Sequence, residues 1–356
     1  MDFQLSDDQR ALRSGMRDLL GAVFDRDRLR AAVERDGVLD RSLWRELGAA
    51  GFFALRLPEE AGGVGLGLPE AVLLFEEAGR ALLPGPLVAT HLAAGLVKGA
   101  AEGEAVVTAV AGELPVAHLA EADAALVVGA EPPAGEATGA ETLTGEALRA
   151  FVAAARPVRS MDPLTPLHSA PAASVRTRAD AERAPAATER TPAHAGRFRF
   201  EAALLTAAEQ LGSAARTTEA AVQHAGSREQ FGSPVGAFQA VKHLCADMLA
   251  RTEPARAAVY AAAVTGDPVE IAAAKLLADE AAVRNARDCL QIHGGMGFTW
   301  EADVHLHLKR AWLRAASWLT GAGAEELLAA DLGAAGRLPR SSAAPGRPVP
   351  EAGGGG

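Results

Sequence analysis

Asp267-Pro268 opens the segment that most limits what this chain can fold into. An Asp side chain accepts from the first free N–H groups of a helix, and Pro at the first helical position has no N–H to lose. The pair predicts a helix running to about Leu290, followed directly by QIHGGMGFTWEADVHLHLKRAW, residues 291–312. Two more helical stripes precede it: Leu204, Ala208, Leu211, Ala215 and Val222, then Phe238, Val241, Cys245, Met248 and Thr252. Apolar residues repeating every three to four positions over such lengths make long helices that bury one face each, so residues 200–332 read as a four-helix bundle.

Upstream the pattern changes twice. Residues 1–95 are helical: Ser6 to Gln9 has the form of a capping box, Leu12, Met16, Leu19 and Val23 follow at helical spacing, and a second helix spans about Ser42 to Ala50 around Trp44 and Leu47. A Gly-rich loop and a proline-bounded helix complete this N-terminal domain. Residues 96–199 read as a small β domain, on the strand-like runs Ala105 to Val110 and Ala124 to Gly129 among turn residues. Its second half, about 168–197, is Ala, Pro, Thr and Arg with little apolar bulk, and a degenerate structure is expected there. Residues 333–356 carry no apolar periodicity and are expected to be a disordered tail. The fold class is therefore α+β and mostly helical.

The charge balance narrows the partners. With 35 basic against 45 acidic residues, a net charge of −10 disfavours nucleic acid and a polybasic membrane surface while leaving room for a local basic site. The N-terminus has neither the basic start nor the apolar core of a signal peptide, and no run is long and apolar enough to span a bilayer, so a cytoplasmic protein is expected. Cys245 and Cys289 sit in apolar helical patterns and read as structural thiols.

Two segments carry chemistry. In SREQFGSPVGAFQAVKH, Arg228 follows a helix, Phe231 stands among glycines, and Gln239 lies at the next helix start. A guanidinium and an amide beside free backbone N–H groups suit an anionic oxygen, phosphate above all. On the residues alone the loop reads equally as an interhelix connection with a solvated Arg and a Phe packed into the bundle. The second segment puts Gln291, His293, Gly294 and Gly295 together, where bare backbone admits the close approach of a ligand or another chain. His293 reads as a structural hydrogen-bonder, Lys309 and Arg310 as a solvated helix face, and His305 and His307 lack the company that a metal site needs.

Together, LPEEAGGVGLGLPEAVLLFEEAGRALLPGP, REQFGSPVGAFQAVKH and QIHGGMGFTWEADVHLHLKRA, in this order around a β domain, resemble the acyl-CoA dehydrogenases from Phe3 to about Gly321. The first and last are similar to actinobacterial members that degrade steroid or other acyl-CoA side chains, often as unlike-subunit tetramers. The resemblance implies an FAD enzyme that converts an acyl-CoA to a 2,3-enoyl-CoA and passes electrons to an acceptor. By the same resemblance Arg228 contacts the FAD diphosphate, Phe231 lies against the adenosine, and Gln239 borders the flavin site. Gln291, Gly294 and Gly295 come from the adjoining subunit to the same diphosphate.

The catalytic base is the departure. Family members place a Glu in a YEG turn after the Gly-Gly motif or on the helix before REQFG, and an ungapped count puts Trp318 and Ala202 there. Glu201, one residue from the second position, and Glu209, two turns along the helix, are the substitutes at hand. The plainer readings are an alignment offset for Glu201 and a packing or solvent-facing Glu209. No TEP or WIT-like segment stands in the β domain, whose corresponding stretch is SMDPLTPLHSA. These departures point to a subunit that completes a flavin site while its partner supplies the Glu. A self-sufficient homo-oligomer with a relocated base, and a non-catalytic scaffold that lost the flavin, are the alternatives.

Overall fold

The computed structural model describes residues 4–112, 114–128, 141–170 and 195–335. The chain opens with helices α1 (Asp7–Val23), α2 (Arg26–Glu34), α3 (Arg41–Ala49), α4 (Leu68–Arg80) and α5 (Leu87–Leu92). The capping box read at Ser6 is present in full, with the Ser6 side chain accepting from the Gln9 N–H and the Gln9 side chain accepting from the Ser6 N–H. Trp44, Phe52, Phe53 and Phe75 form the core of this domain, with ring centroids 4.7–5.3 Å apart. Helix α2 escaped the sequence reading because its nine residues average strongly polar and only Leu29, Ala32 and Val33 are buried.

The middle domain holds β1 (Val107–Ala111), β2 (Val116–Ala117), β3 (Ala124–Val128), β4 (Glu141–Thr144), α6 (Gly145–Ala154), β5 (Arg156–Val158) and β6 (Leu167–Ser169). The two strand-like runs of the sequence are β1 and β3, paired in parallel from Val107↔Ala124 to Ala111↔Val128. Parallel neighbours need a crossover of about a dozen residues, and here that crossover contributes β2 to a second sheet of order β2-β6-β5. Helix α6, absent from the sequence reading, packs Leu148 and Phe151 against Val110 and Leu143. Most of the segment expected to be degenerate, from 171 to 194, lies outside the described residues.

The C-terminal bundle is built on α7 (Ala195–Ser227), α8 (Gln239–Thr265) and α9 (Pro268–His293), with a hairpin of β7 (Glu229–Gln230) and β8 (Ser233–Pro234) between the first two. Helices α10 (Val304–Ala315) and α11 (Gly321–Ala335) complete it. Asp267 caps α9 as expected, accepting from the N–H groups of Val269 and Glu270. Helix α7 begins before residue 200 and α11 passes residue 333, so both expected boundaries fall inside helices; the remaining tail, 336–356, lies outside the described residues.

The single stripe expected on α7 is wrong in its central part: every residue from Ala202 to Ala214 is buried. The cause is α4, which crosses α7 closely enough that a Cβ on Gly212 would stand 1.8 Å from the Glu76 carbonyl oxygen and one on Gly79 2.0 Å from that of Glu209. Buried Glu77 accepts two bonds from Arg17 on α1, at 2.8 and 2.6 Å, and buried Glu76 accepts from Tyr260 on α8 at 2.6 Å. No helix among the described residues is long and apolar enough to cross a membrane.

Candidate active site

Up-down-up packing brings the end of α7, the start of α8 and the end of α9 to one end of the bundle. His224, one turn before Arg228, stacks on His293 with centroids 4.1 Å apart, so the two motif segments are neighbours within one chain. The His293 ring also meets the Cys289 carbonyl at 2.8 Å through Nδ1, the structural role expected of it.

The Arg228 side chain makes no hydrogen bond or ion pair with the described residues. Phe231 and Gly232 turn the β7-β8 hairpin with φ of 53° and 80°, both left-handed. That conformation costs an aromatic residue energy, and strain of this kind collects at functional sites. Phe231 is 92 % exposed, which overturns the reading of a Phe packed into the bundle. Helix α8 starts at Gln239 with no side-chain cap, and Gln239 is exposed, its amide 3.3 Å from His243. Gln291, Gly294 and Gly295 are exposed too, and a Cβ on either glycine would meet nothing within 4 Å. Gly294 needs its positive φ of 61°, but nothing among the described residues requires Gly295 to be bare. Donors, a cation, an uncapped helix start and unfilled backbone are what a diphosphate needs.

A second region lies where the middle domain meets the bundle. A cavity of about 190 Å³ is walled by α5, β1, β2 and β6 on one side and by α7 and α10 on the other. Trp318 lines it with a left-handed φ of 64° and packs on Phe198 at 6.2 Å, while Ala202 is fully buried. Both positions where the resemblance looks for a base thus hold side chains that cannot take a proton.

The two substitute carboxylates are told apart by their surroundings. Glu201 lies in a different cavity, accepting from Arg56 and Arg197 at 2.8 Å each. Burial pushes its carboxyl up, but the Arg56 hydrogen bond and charge, followed by those of Arg197, hold it below the ordinary range. Glu209 lines the first cavity and is buried; burial raises its carboxyl, with the charges of Arg314 and Arg310 opposing. Arg314 donates to it through Nη2 at 2.7 Å, and burial in turn pushes that guanidinium down to about 10.

The expectation of a solvated helix face at Lys309 and Arg310 fails at Arg310, which is 4 % exposed. Its Nε is paired with Asp162, and its Nη1 donates to the Leu83 carbonyl at 3.1 Å. Asp162 also accepts from the Thr165 hydroxyl at 2.7 Å and the Leu164 N–H at 3.1 Å. Burial raises its carboxyl, and the Arg310 charge with these bonds more than reverses the rise. Lys309 lies over the Trp300 ring at 4.8 Å. The missed signal was spacing: His307, Arg310, Ala311 and Arg314 stand at i, i+3, i+4 and i+7 and share the buried face of α10.

His307 sits behind the cavity, Nδ1 2.8 Å from the Ser213 hydroxyl, with its pKa pushed down to about 3 first by burial and then by Arg216, Arg314 and Arg310. Its folded pKa is below its unfolded one, so its contribution to stability is whole above about 6.5 and falls as pH drops toward 3, by roughly 5 kcal/mol in all. Urea midpoints measured from pH 7 to 4 should therefore fall less steeply in His307→Asn than in the parent; parallel slopes would rule His307 out as their source.

Residues 196–336 match the family model of the acyl-CoA dehydrogenase C-terminal domain, and residues 6–102 that of its N-terminal domain. The chain is 37 % identical over 288 residues to the acyl-CoA dehydrogenase IpdE2 of Mycobacterium tuberculosis, covering 80 % of this chain and 84 % of that protein. Its Mycolicibacterium smegmatis counterpart is 34 % identical over 323 residues, covering 86 % and 93 %. The ChsE4-ChsE5 complex from Mycobacterium tuberculosis shares the fold with a TM-score of 0.74 at 22 % identity, covering 96 % of this chain and all of that one. The chain, enclosing a cavity between a small β domain and a helical bundle whose end is bare, belongs to the acyl-CoA dehydrogenase family.

Proposed function

We propose that this chain is one subunit of an FAD-dependent acyl-CoA dehydrogenase that forms a 2,3-enoyl-CoA, with a second dehydrogenase subunit supplying the catalytic Glu. The observation that carries the reading is the contrast between its two ends: the bundle end is equipped for a diphosphate, while both base positions hold Ala202 and Trp318. FAD, when bound there, would supply the acceptor for the β-hydride of the acyl thioester. Arg228 would hold its diphosphate, Phe231 would lie against the adenosine, Gln239 would border the flavin site, and Gln291, Gly294 and Gly295 would meet the diphosphate of the adjoining subunit in a tetramer of like or unlike subunits. The likeness to a complex named for two components, ChsE4 and ChsE5, supports the unlike pair. The enzyme works in the cytoplasm and delivers its electrons to a separate acceptor.

A second reading, a homo-oligomer that uses its own base, draws support from Glu209, whose burial raises its carboxyl at the cavity wall. Glu201, held low by two guanidinium groups away from that cavity, has no such support.

Arg228→Ala in the assembled oligomer tests the cofactor assignment. Losing a charged hydrogen bond worth about 1.5–3 kcal/mol weakens FAD binding by roughly 10- to 100-fold, and Lys, a point charge instead of a fork, restores only part of it. Flavin absorbance after gel filtration reads the result. Full occupancy in the Ala variant would remove Arg228 from the site.

A further inference from the structure

We propose that Arg26 and Arg30 on α2 are positioning residues for the cofactor of the adjoining subunit: they pin the turn after α9 so that Gln291, Gly294 and Gly295 stay where that subunit's diphosphate meets them. The purpose of the clamp rests on the dehydrogenase reading above.

The two arginines stand one turn apart on one face of α2, and both reach the turn at 300–303. Arg26 donates through Nε to Asp303 Oδ2 at 2.7 Å and through Nη2 to the Glu301 carbonyl at 2.9 Å. Arg30 donates through Nη1 to the Trp300 carbonyl at 2.5 Å and through Nη2 to that of Glu301 at 2.6 Å, and it is also paired with Asp303. Two planar forks thus hold two carbonyls and a carboxylate, which the point charge of a lysine could not do. Asp303 is the N-cap of α10, where an Asp side chain ordinarily accepts from the first N–H groups of its own helix, yet here it makes no such bond. Its carboxylate faces α2 instead. Local helix stability is given up for a tie to a residue 277 positions away.

The turn needs such a hold. From Gly294 to Glu301 only Gly297 is buried within the chain, while Met296, Phe298 and Trp300 are 57 %, 73 % and 54 % exposed. A segment that buries so little is loosely placed by packing alone, whereas groups that meet a ligand must be held to within about 0.5 Å. Between the clamp and the glycines the chain has little slack. Gly294–Phe298 is a 3₁₀ helix, and the Met296 carbonyl accepts from the Thr299 N–H at 3.1 Å and from its hydroxyl at 3.0 Å. A Cβ on Gly297 would stand 2.9 Å from the Leu290 carbonyl, so the turn lies directly on the end of α9. The Trp300 ring is stacked on His305 at 5.1 Å and lies under Lys309 at 4.8 Å. A shift of Trp300 is therefore passed back to Gly294 and Gly295. Arg28, between the two arginines in sequence, pairs instead with Asp40 and Glu46 at 3.5 and 3.6 Å.

FAD titrated into the flavin-stripped assembled oligomer, followed by flavin fluorescence, tests this. Arg30→Ala should bind FAD about tenfold more weakly, because it removes charged hydrogen bonds that place the turn. In the flavin-free variant the amides from Met296 to Asp303 should exchange with deuterium about threefold faster or more, while those of α9 up to Leu290 match the parent. Arg28→Ala loosens α2 without touching the turn and should keep the parental FAD affinity. Should Arg30→Ala not fold, Arg26→Ala, at a side chain 62 % exposed, must still weaken FAD binding about threefold. An equal loss of affinity in Arg28→Ala, or unchanged exchange of the turn in Arg30→Ala, would overturn the proposal. Parental affinity in Arg30→Ala, beside a parent that holds FAD, sinks this inference alone. A parent oligomer that binds no FAD, with or without a second subunit, sinks the dehydrogenase reading and the purpose of the clamp with it.

Discussion

Expressed alone and loaded with FAD, this chain should dehydrogenate no acyl-CoA at a useful rate, because no carboxylate among the described residues stands ready to take the α-proton. Ala202 and Trp318 occupy the positions where the resemblance looks for the base. Glu201 is tied to Arg56 and Arg197, which favour its ionised form and so make it a weaker base than a free Glu. Glu209 has the raised carboxyl that the chemistry asks for, yet one of its oxygens is held at 2.7 Å by Arg314. A missing general base costs a factor of about 10² to 10⁴ in rate. Co-expression with a second dehydrogenase subunit should restore that factor, and the restored activity should withstand Glu209→Gln in this chain. Turnover by the chain alone, lost on Glu209→Gln, would transfer the role of base to Glu209 and end the partner model.

How much of this was legible in the sequence depended on whether the signal was local. The Ser6 and Asp267 caps, β1, β3 and the three long helices of the bundle were readable because caps, alternation and helical spacing act within a few residues. The motif glycines were readable as bare backbone, but only the structure separates Gly295, where a Cβ would meet nothing among the described residues, from Gly297, whose Cβ would stand 2.9 Å from the Leu290 carbonyl. The buried charges were not readable. Arg310 looks like any surface arginine until Asp162, 148 residues away, is brought against it. Glu209 likewise gains its character from Arg314, 105 residues on. Spacing along α10 puts His307, Arg310 and Arg314 on one face, and a polar residue on a face otherwise shared with Leu306 and Ala311 marks a buried pair only once its partner is known.

Replacing Asp162 by Ala should cost the fold about 3–5 kcal/mol, since it strands the Arg310 guanidinium where water cannot reach it. The pair is 0 % and 5 % exposed at its two side chains, unlike Arg26–Asp303, 62 % and 30 % exposed, whose loss should cost under about 1 kcal/mol. Asp162 also orders its own turn through Thr165 and Leu164, so the middle domain and α10 loosen together. The sign with pH follows from its lowered carboxyl: its contribution is whole above the unfolded value near 4 and fades as pH falls through the folded one. The double variant Asp162→Leu/Arg310→Met removes both charges at similar volume and should be more stable than Asp162→Ala, because two desolvation penalties vanish with the attraction. Urea unfolding of the parent, both variants and Arg26→Ala measures this. A loss below about 1 kcal/mol in Asp162→Ala, or a double variant weaker than the single one, would mean that water reaches Arg310 and that this pair does not join the two domains.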